Sequence, residues 1–390
     1  MRHVSSLRHL LLLVNLACFI GATCSAVPPE ATVQVLPSPF RVPHLISAQF
    51  NDFQNYNGVR YVHGGTDLGV PGGTEIFAPV AGIIRVSHYS IKSQAEPPQF
   101  QYFRAPLASA TSSPEQNAHL YVEVSITDRE QRSWYFRHVI ADSIPAAFRM
   151  LGTATVEVKE GDYIGRVVSW TASVTPEQRR YDHVHLELVD SQGVFLNPNV
   201  YLPRPPDTTA PVIQKFWMLP NQSEQPFPAP QNVYAVAGEV DFVLDTYDRC
   251  DGASYRHVPY EISWGIYSST GSLSQPVVPM HVVYRFDRIP QNEDRTRYAD
   301  IFFQPRIREG TTEITSEGNN VARRFLVNLT NGTVFTSFSP ELSFDTRTLP
   351  DGKYELRIQV KDLNRNTTER TQDFQIQNKP GKPAESTNRR

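Results

Sequence analysis

The sequence predicts a mainly β protein, and three observations carry that reading. Short runs of alternating apolar and polar residues recur along the 390-residue chain. Turn signals separate these runs, and no helix-period segment of useful length appears. The proline-rich stretch Pro203-Arg204-Pro205-Pro206-Asp207-Thr208-Thr209-Ala210-Pro211 divides the runs into two sets and reads as a semi-rigid linker at 204–211, as expected for a chain of about two domains.

At the N-terminus, Arg2, His3, Arg8 and His9 precede the apolar run Leu10–Ala22, and Thr23-Cys24-Ser25-Ala26 follows. This is the pattern of a signal peptide over residues 1–26. Its apolar part is too short for a comfortable membrane span. Of the 3 cysteines, Cys18 and Cys24 would leave with it, so the mature chain keeps only Cys250 and no intrachain disulfide. Neither leader cysteine has a leucine three residues before it, so lipid anchoring is not expected. The chain reads as exported, periplasmic or secreted from a bacterium, with cores large enough to stand without disulfides. A net charge of −3 with 20% charged residues and no basic run leaves no field for nucleic acid.

Residues 27–203 hold the chemistry. The extended run Val59–Val62 leads into His63-Gly64-Gly65-Thr66-Asp67, where the paired glycines let the backbone turn sharply. Strand-like runs follow at Gly82–Val86 and Leu120–Ile126, separated by a Ser-, Gln-, Ala- and Pro-rich insertion at about 88–118. Pro97-Pro98, Ala105-Pro106 and Ser112-Ser113-Pro114 keep that insertion from being regular throughout. His183-Val184-His185-Leu186-Glu187-Leu188-Val189 alternates with period two, placing 183, 185 and 187 on one open face and Val184, Leu186 and Leu188 in a core.

With 11 histidines in the chain, chance yields roughly 0.3 His-x-His and roughly 0.5 His-x-x-x-Asp, so either motif alone is weak. Together with His138 they supply what a catalytic zinc needs: N/O ligands with one position left open, and proton-transfer groups nearby. Spacing alone leaves open which histidine of the 183/185 pair would bind metal. His44, His88, His119, His257 and His281 lack partners at ligand spacing and read as ordinary polar or packing residues.

These segments resemble the lysostaphin-type (LytM-like) zinc metalloendopeptidases, a family of peptidoglycan hydrolases. Further landmarks match in order: Leu45–Phe50 before the first motif, Ile76–Ile84 as the "A-P-x-x-G" turn and strand, and Tyr135-Phe136-Arg137-His138-Val139 as the Tyr-x-His strand. Val158–Gly165 resembles the "V-x-x-G-x-x-I-G" turn and Leu196–Leu202 the closing segment. The resemblance covers approximately residues 42–203. It implies an antiparallel β-sheet metallopeptidase domain in which His63, Asp67 and His185 ligate Zn2+. His138 and His183 would stand behind them as catalytic proton-transfer groups, with zinc-bound water as nucleophile. Two departures bear on substrate preference: the insertion, and Thr171–Asp182, which is longer than the family's glycine-rich stretch, has no glycine, and carries Asp182 where a proline is usual. In that stretch Arg179, Arg180 and Tyr181 read as a solvated loop before they read as substrate contacts.

Past the linker, Val212–Leu219, Val240–Thr246, Tyr260–Ile266, Val282–Phe286, Ala322–Asn328 and Tyr354–Val360 read as strands of a β-sandwich over 212–378. Asp351–Leu356 and Lys361-Asp362 are similar to the closing strands of immunoglobulin-like bacterial domains, which implies an immunoglobulin-like sandwich and a surface for a protein partner. Residues 379–390, polar with Lys, Pro and Gly, read as a disordered tail. The expected activity is hydrolysis of amide bonds in peptidoglycan stem or cross-bridge peptides. The alternative is a catalytically silent wall-binding or amidase-activator module of the same family.

Overall fold

The computed structural model describes residues 33–378 apart from 56–58, 95–98, 107–121, 150–155, 170–180, 270–274, 290–294, 319–321 and 333–337, with backbone alone for 90–94 and 99–106. The expected signal peptide, the 379–390 tail, His119, Arg179 and Arg180 lie outside the described residues. The fold is mainly β, as the sequence predicts, and among the described residues its sheets are antiparallel but for one pair, Tyr234–Val236 with Thr367–Ile376.

The N-terminal half is built on one large sheet. Its central order runs Leu45–Ala48, Thr66–Gly69, His183–Val189, Ser133–Arg137, Val122–Thr127, Gly82–Gln94 and Val156–Val158. Alternation decides its faces. Leu68, Val124, Ile126, Trp134, Phe136, Val184, Leu186 and Leu188 join one buried apolar cluster, leaving the odd-numbered residues of the His183–Val189 strand for the opposite face.

The insertion differs from expectation in its first part. The Gly82–Gln94 strand runs on past Val86 and pairs with Gln99–Pro106, in register from Ser87↔Pro106 to Gln94↔Gln99. Its polar residues hid this extension, because a hairpin that reaches beyond a core needs no apolar alternation.

The C-terminal half has two facing sheets. One contains Val212–Pro220, Glu239–Tyr247 and Phe325–Asn328; the other runs Tyr234–Val236, Thr367–Ile376, Gly352–Lys361, Glu261–Ser268 and Pro276–Arg285. Phe242 of the first meets Trp264 of the second edge-on at 5.3 Å between ring centroids, and both belong to one core. The sequence predicts no helix of useful length, yet Arg295–Phe302 is an α-helix that buries Arg295, Tyr298, Ala299, Ile301 and Phe302. At eight residues, two of them arginine, its periodicity is too short to register.

The two halves are continuous. Phe50, Phe53, Val62 and Phe195 lie in the same buried cluster as Phe242, Trp264 and Phe302. The Phe195–Leu196 strand pairs with Arg288–Ile289. Asp52, fully buried, accepts hydrogen bonds from the Val258 backbone (2.8 Å), the His257 ring (3.0 Å) and Arg323 (3.3 Å). Val35 onward forms one compact unit.

Candidate metal centre

Sheet register brings the first two motifs together. In the antiparallel pairing of His183–Val189 with Thr66–Gly69, His185 stands opposite Asp67. On the other side His185 stands opposite Arg137. His63 directly follows the short strand Tyr61–Val62, and Gly64 and Gly65 lead from it to the Thr66–Gly69 strand. Neither glycine has the positive φ that a left-handed turn would show; both are needed for close approach instead. A Cβ on Gly65 would sit 2.4 Å from the Leu186 carbonyl oxygen, and one on Gly64 would sit 2.6 Å from Nη1 of Arg295.

His138 is placed by a different device. The Ser133–Arg137 strand ends just before it, and His138 adopts φ 67°, a left-handed conformation uncommon outside glycine. Continued as strand, it would point with Phe136 into the core. The reversed φ turns it toward the site, where its ring lies 4.8 Å from that of His183 and 6.4 Å from that of His185. The Tyr89 hydroxyl is 3.4 Å from its Nδ1.

The inner atoms converge. His185 Nδ1 lies 2.8 Å from Asp67 Oδ1 and 3.0 Å from His63 Nε2, and His63 Nε2 is 3.3 Å from Asp67 Oδ1. Their outer atoms fix the ring protons. His63 Nδ1 is 3.1 Å from the Gln49 carbonyl oxygen, and His185 Nε2 is 3.0 Å from Oε1 of Glu187. A carbonyl and a carboxylate only accept, so each ring donates outward and turns a lone pair inward. Two inward nitrogens 3.0 Å apart beside a carboxylate are arranged to share a cation. His63, Asp67 and His185 could hold a metal ion, and two imidazoles with one carboxylate fit zinc.

No family model matches the chain, and no curated protein matches it. Similar solved structures include Csd3 of Helicobacter pylori, at 17% identity and a TM-score of 0.26 over 44% of this chain, which spans only 36% of the Csd3 chain. Another is the SpoIIQ–SpoIIIAH pore-forming complex, at 14% identity and a TM-score of 0.27, covering 45% of this chain and 94% of that one. Overlays this loose decide nothing about chemistry.

Charges around the cluster are matched. Burial alone would raise the Asp67 carboxyl, but the His183 and His63 rings and the close contacts with the His185 and His63 nitrogens hold it well below the usual range. Burial lowers His183, outweighing the pull of Asp67. Its Nδ1 donates to the Tyr181 carbonyl at 2.7 Å, which makes Nε2, 3.7 Å from Asp67 Oδ1, the accepting nitrogen. Burial opposes a charged His185 too, yet hydrogen bonds with Asp67 and Glu187 raise its pKa.

Sequence reasoning missed the shell behind these residues. The face carrying 183, 185 and 187 is not open: His183 is 4% exposed and Glu187 1%. Arg137 binds both oxygens of Glu187 (2.6 and 2.8 Å) and reaches Glu123 with Nε at 2.8 Å, while Arg295 of the helix lies 3.8 Å from Glu187. Tyr181, read as solvated loop, donates its hydroxyl to Asp67 Oδ2 at 2.7 Å. Asp182 accepts the Gly72 N–H at 2.9 Å, tying its segment to the turn after Asp67. Glu187 alone was signalled, by its period-two place beside His185. Among the other histidines, His257 bonds Asp52 and His281 approaches the Pro279 carbonyl at 3.1 Å, both as packing residues.

Proposed function

We propose that the chain is an exported, zinc-dependent endopeptidase that hydrolyses amide bonds in peptidoglycan stem or cross-bridge peptides. The observation that carries this reading is the pair of inward lone pairs on His63 and His185, meeting Asp67, with the neutral His183 and the turned-out His138 alongside. His63, Asp67 and His185 would hold the ion. When bound, zinc supplies Lewis-acid polarisation of the scissile carbonyl and lowers the pKa of water toward neutrality. His183 Nε2 accepts the proton from the attacking water, and the Nδ1–H bond to Tyr181 O sets the tautomer in which Nε2 is the acceptor. His138, beside it, donates to the developing oxyanion or the leaving amine. Glu187, locked by Arg137, holds the His185 ring and its tautomer.

One observation favours a second reading. The Tyr181 hydroxyl caps Asp67 Oδ2, and the cluster residues are at most 12% exposed by side chain, which suits a metal-bearing but silent module that binds wall or activates another hydrolase. In either case the C-terminal sandwich offers a surface for a protein partner. No helix among the described residues is long and apolar enough to cross a membrane. Mass spectrometry of muropeptides after incubating purified wall with the zinc-loaded protein separates the two. New stem or cross-bridge fragments support the enzyme; unchanged muropeptides from a zinc-replete protein support the silent module.

A further inference from the structure

A second acidic cluster lies away from the histidines. Asp207 comes from the proline-rich linker, Asp248 follows the Glu239–Tyr247 strand, and Asp362 follows the Gly352–Lys361 strand. Linker and both faces of the sandwich therefore meet here. One oxygen from each carboxylate lies within 4.8 Å of the others. Together they border a small cavity of about 20 Å³ that is also lined by Ile46 and Gln49, room for one water-sized body.

Three acids gathered in this way are costly without a counter-charge. Asp248 is 3% exposed and Asp362 2%, and Oδ1 of Asp248 is buried with no hydrogen-bond partner. Asp362 accepts from Asn366 N (2.9 Å) and Nδ2 (2.6 Å), and Asp207 Oδ1 accepts from Thr209 N at 3.0 Å. All three donors are neutral. Arg204 borders the cavity, but its Nη1 donates to the Leu363 carbonyl. Burial, with Asp362 and Asp207 adding like charge, pushes the Asp248 carboxyl up to about 8. An all-oxygen donor set suits a hard cation: calcium takes oxygen ligands at about 2.3–2.6 Å, so two of its ligands stand up to about 5 Å apart, and carbonyls or waters complete its shell. With no nitrogen or sulfur donor in the set, zinc and its neighbours are disfavoured.

We propose that Asp207, Asp248 and Asp362 bind one calcium-class divalent cation that fastens the linker to the sandwich and to the Ile46–Gln49 segment. Gln49 gives this position a consequence, since its carbonyl is the one that accepts the His63 Nδ1 proton. The inference stands whether or not the histidine site hydrolyses peptides.

Isothermal titration of calcium chloride into the zinc-containing full chain tests it, with melting temperature followed in parallel. One saturable calcium site is expected, with a melting temperature that climbs as calcium is added. Asp248→Asn and Asp362→Asn should lose the binding, and Asp207→Asn, at the less buried linker position, keeps the test open if either fails to fold. His185→Ala should bind calcium as the wild type does. In calcium-free buffer Asp248→Asn should melt no lower than wild type, because Oδ1 of Asp248 has no hydrogen bond to lose; a purely structural acid would show the opposite sign. No saturable calcium uptake by the wild type, or unchanged affinity in the folded aspartate variants, overturns the proposal.

Discussion

Nε2 of His185 lies 3.0 Å from Oε1 of Glu187, and this contact decides which way the imidazole faces. Glu187 only accepts, and Arg137 holds it by both oxygens, so the ring must donate outward and present Nδ1 to Asp67. Despite its burial, Arg137 and the His185 hydrogen bond keep Glu187 well below the ordinary carboxylate range. A charged carboxylate behind a ligand histidine also raises the ligand's basicity. Replacing Glu187 by Gln should therefore keep the shape while weakening metal affinity by about 10–100-fold. Competition with a chromophoric zinc chelator measures this, and an affinity equal to wild type would show that Glu187 does not position His185.

The three ligands have no redundancy. His63→Ala, Asp67→Ala and His185→Ala should each abolish stoichiometric zinc in elemental analysis. A variant that keeps full zinc removes its residue from the ligand set.

His138→Ala and His183→Ala should keep zinc and slow hydrolysis by about 10²–10⁴-fold, read as kcat on a muropeptide substrate. If His183→Ala loses metal and His185→Ala does not, the two roles within the pair are exchanged.

Gly65 is a packing requirement rather than a turn. The Cβ of Gly65→Ala would meet Leu186 O at 2.4 Å and Cγ of Glu187 at 2.9 Å, on the two residues that follow His185. Overpacking of this kind costs about 1–3 kcal/mol, and urea unfolding should show it together with weakened zinc binding. A neutral effect would mean that the two strands can separate freely.

Arg323 ties the halves together. Its Nη1 donates to the Ser47 carbonyl at 2.9 Å and lies 3.3 Å from Asp52 Oδ2. Removing one partner of a buried ion pair costs about 3–5 kcal/mol, so Arg323→Ala should lower the melting temperature of the whole chain in one transition. Two separate transitions, with only one shifted, would show that the shared core is not cooperative.

The convergence of His63, Asp67 and His185 was legible because strand alternation fixes a face and a five-residue motif fixes the spacing of His63 and Asp67, and both signals are local. What lay behind them was not. Arg137 is 50 residues from Glu187, and the pairing that joins them depends on strand register, which no local pattern encodes. Arg295 sits on a helix too short to show its period. His138 was placed by its position in a strand, but its reach into the site depends on a single reversed φ that a histidine tolerates and does not advertise. Tyr181 looked like loop because the residues around it are charged; its hydroxyl bond to Asp67 joins positions 114 residues apart, which no local pattern encodes.

Zinc per chain in the purified full-length protein, measured by elemental analysis after exhaustive dialysis, tests the central claim most directly. The convergence of His63, Asp67 and His185 predicts one equivalent in the wild type and none in Asp67→Ala. Wild-type protein that is folded, offered zinc and yet retains no more than the Asp67→Ala variant would contradict it.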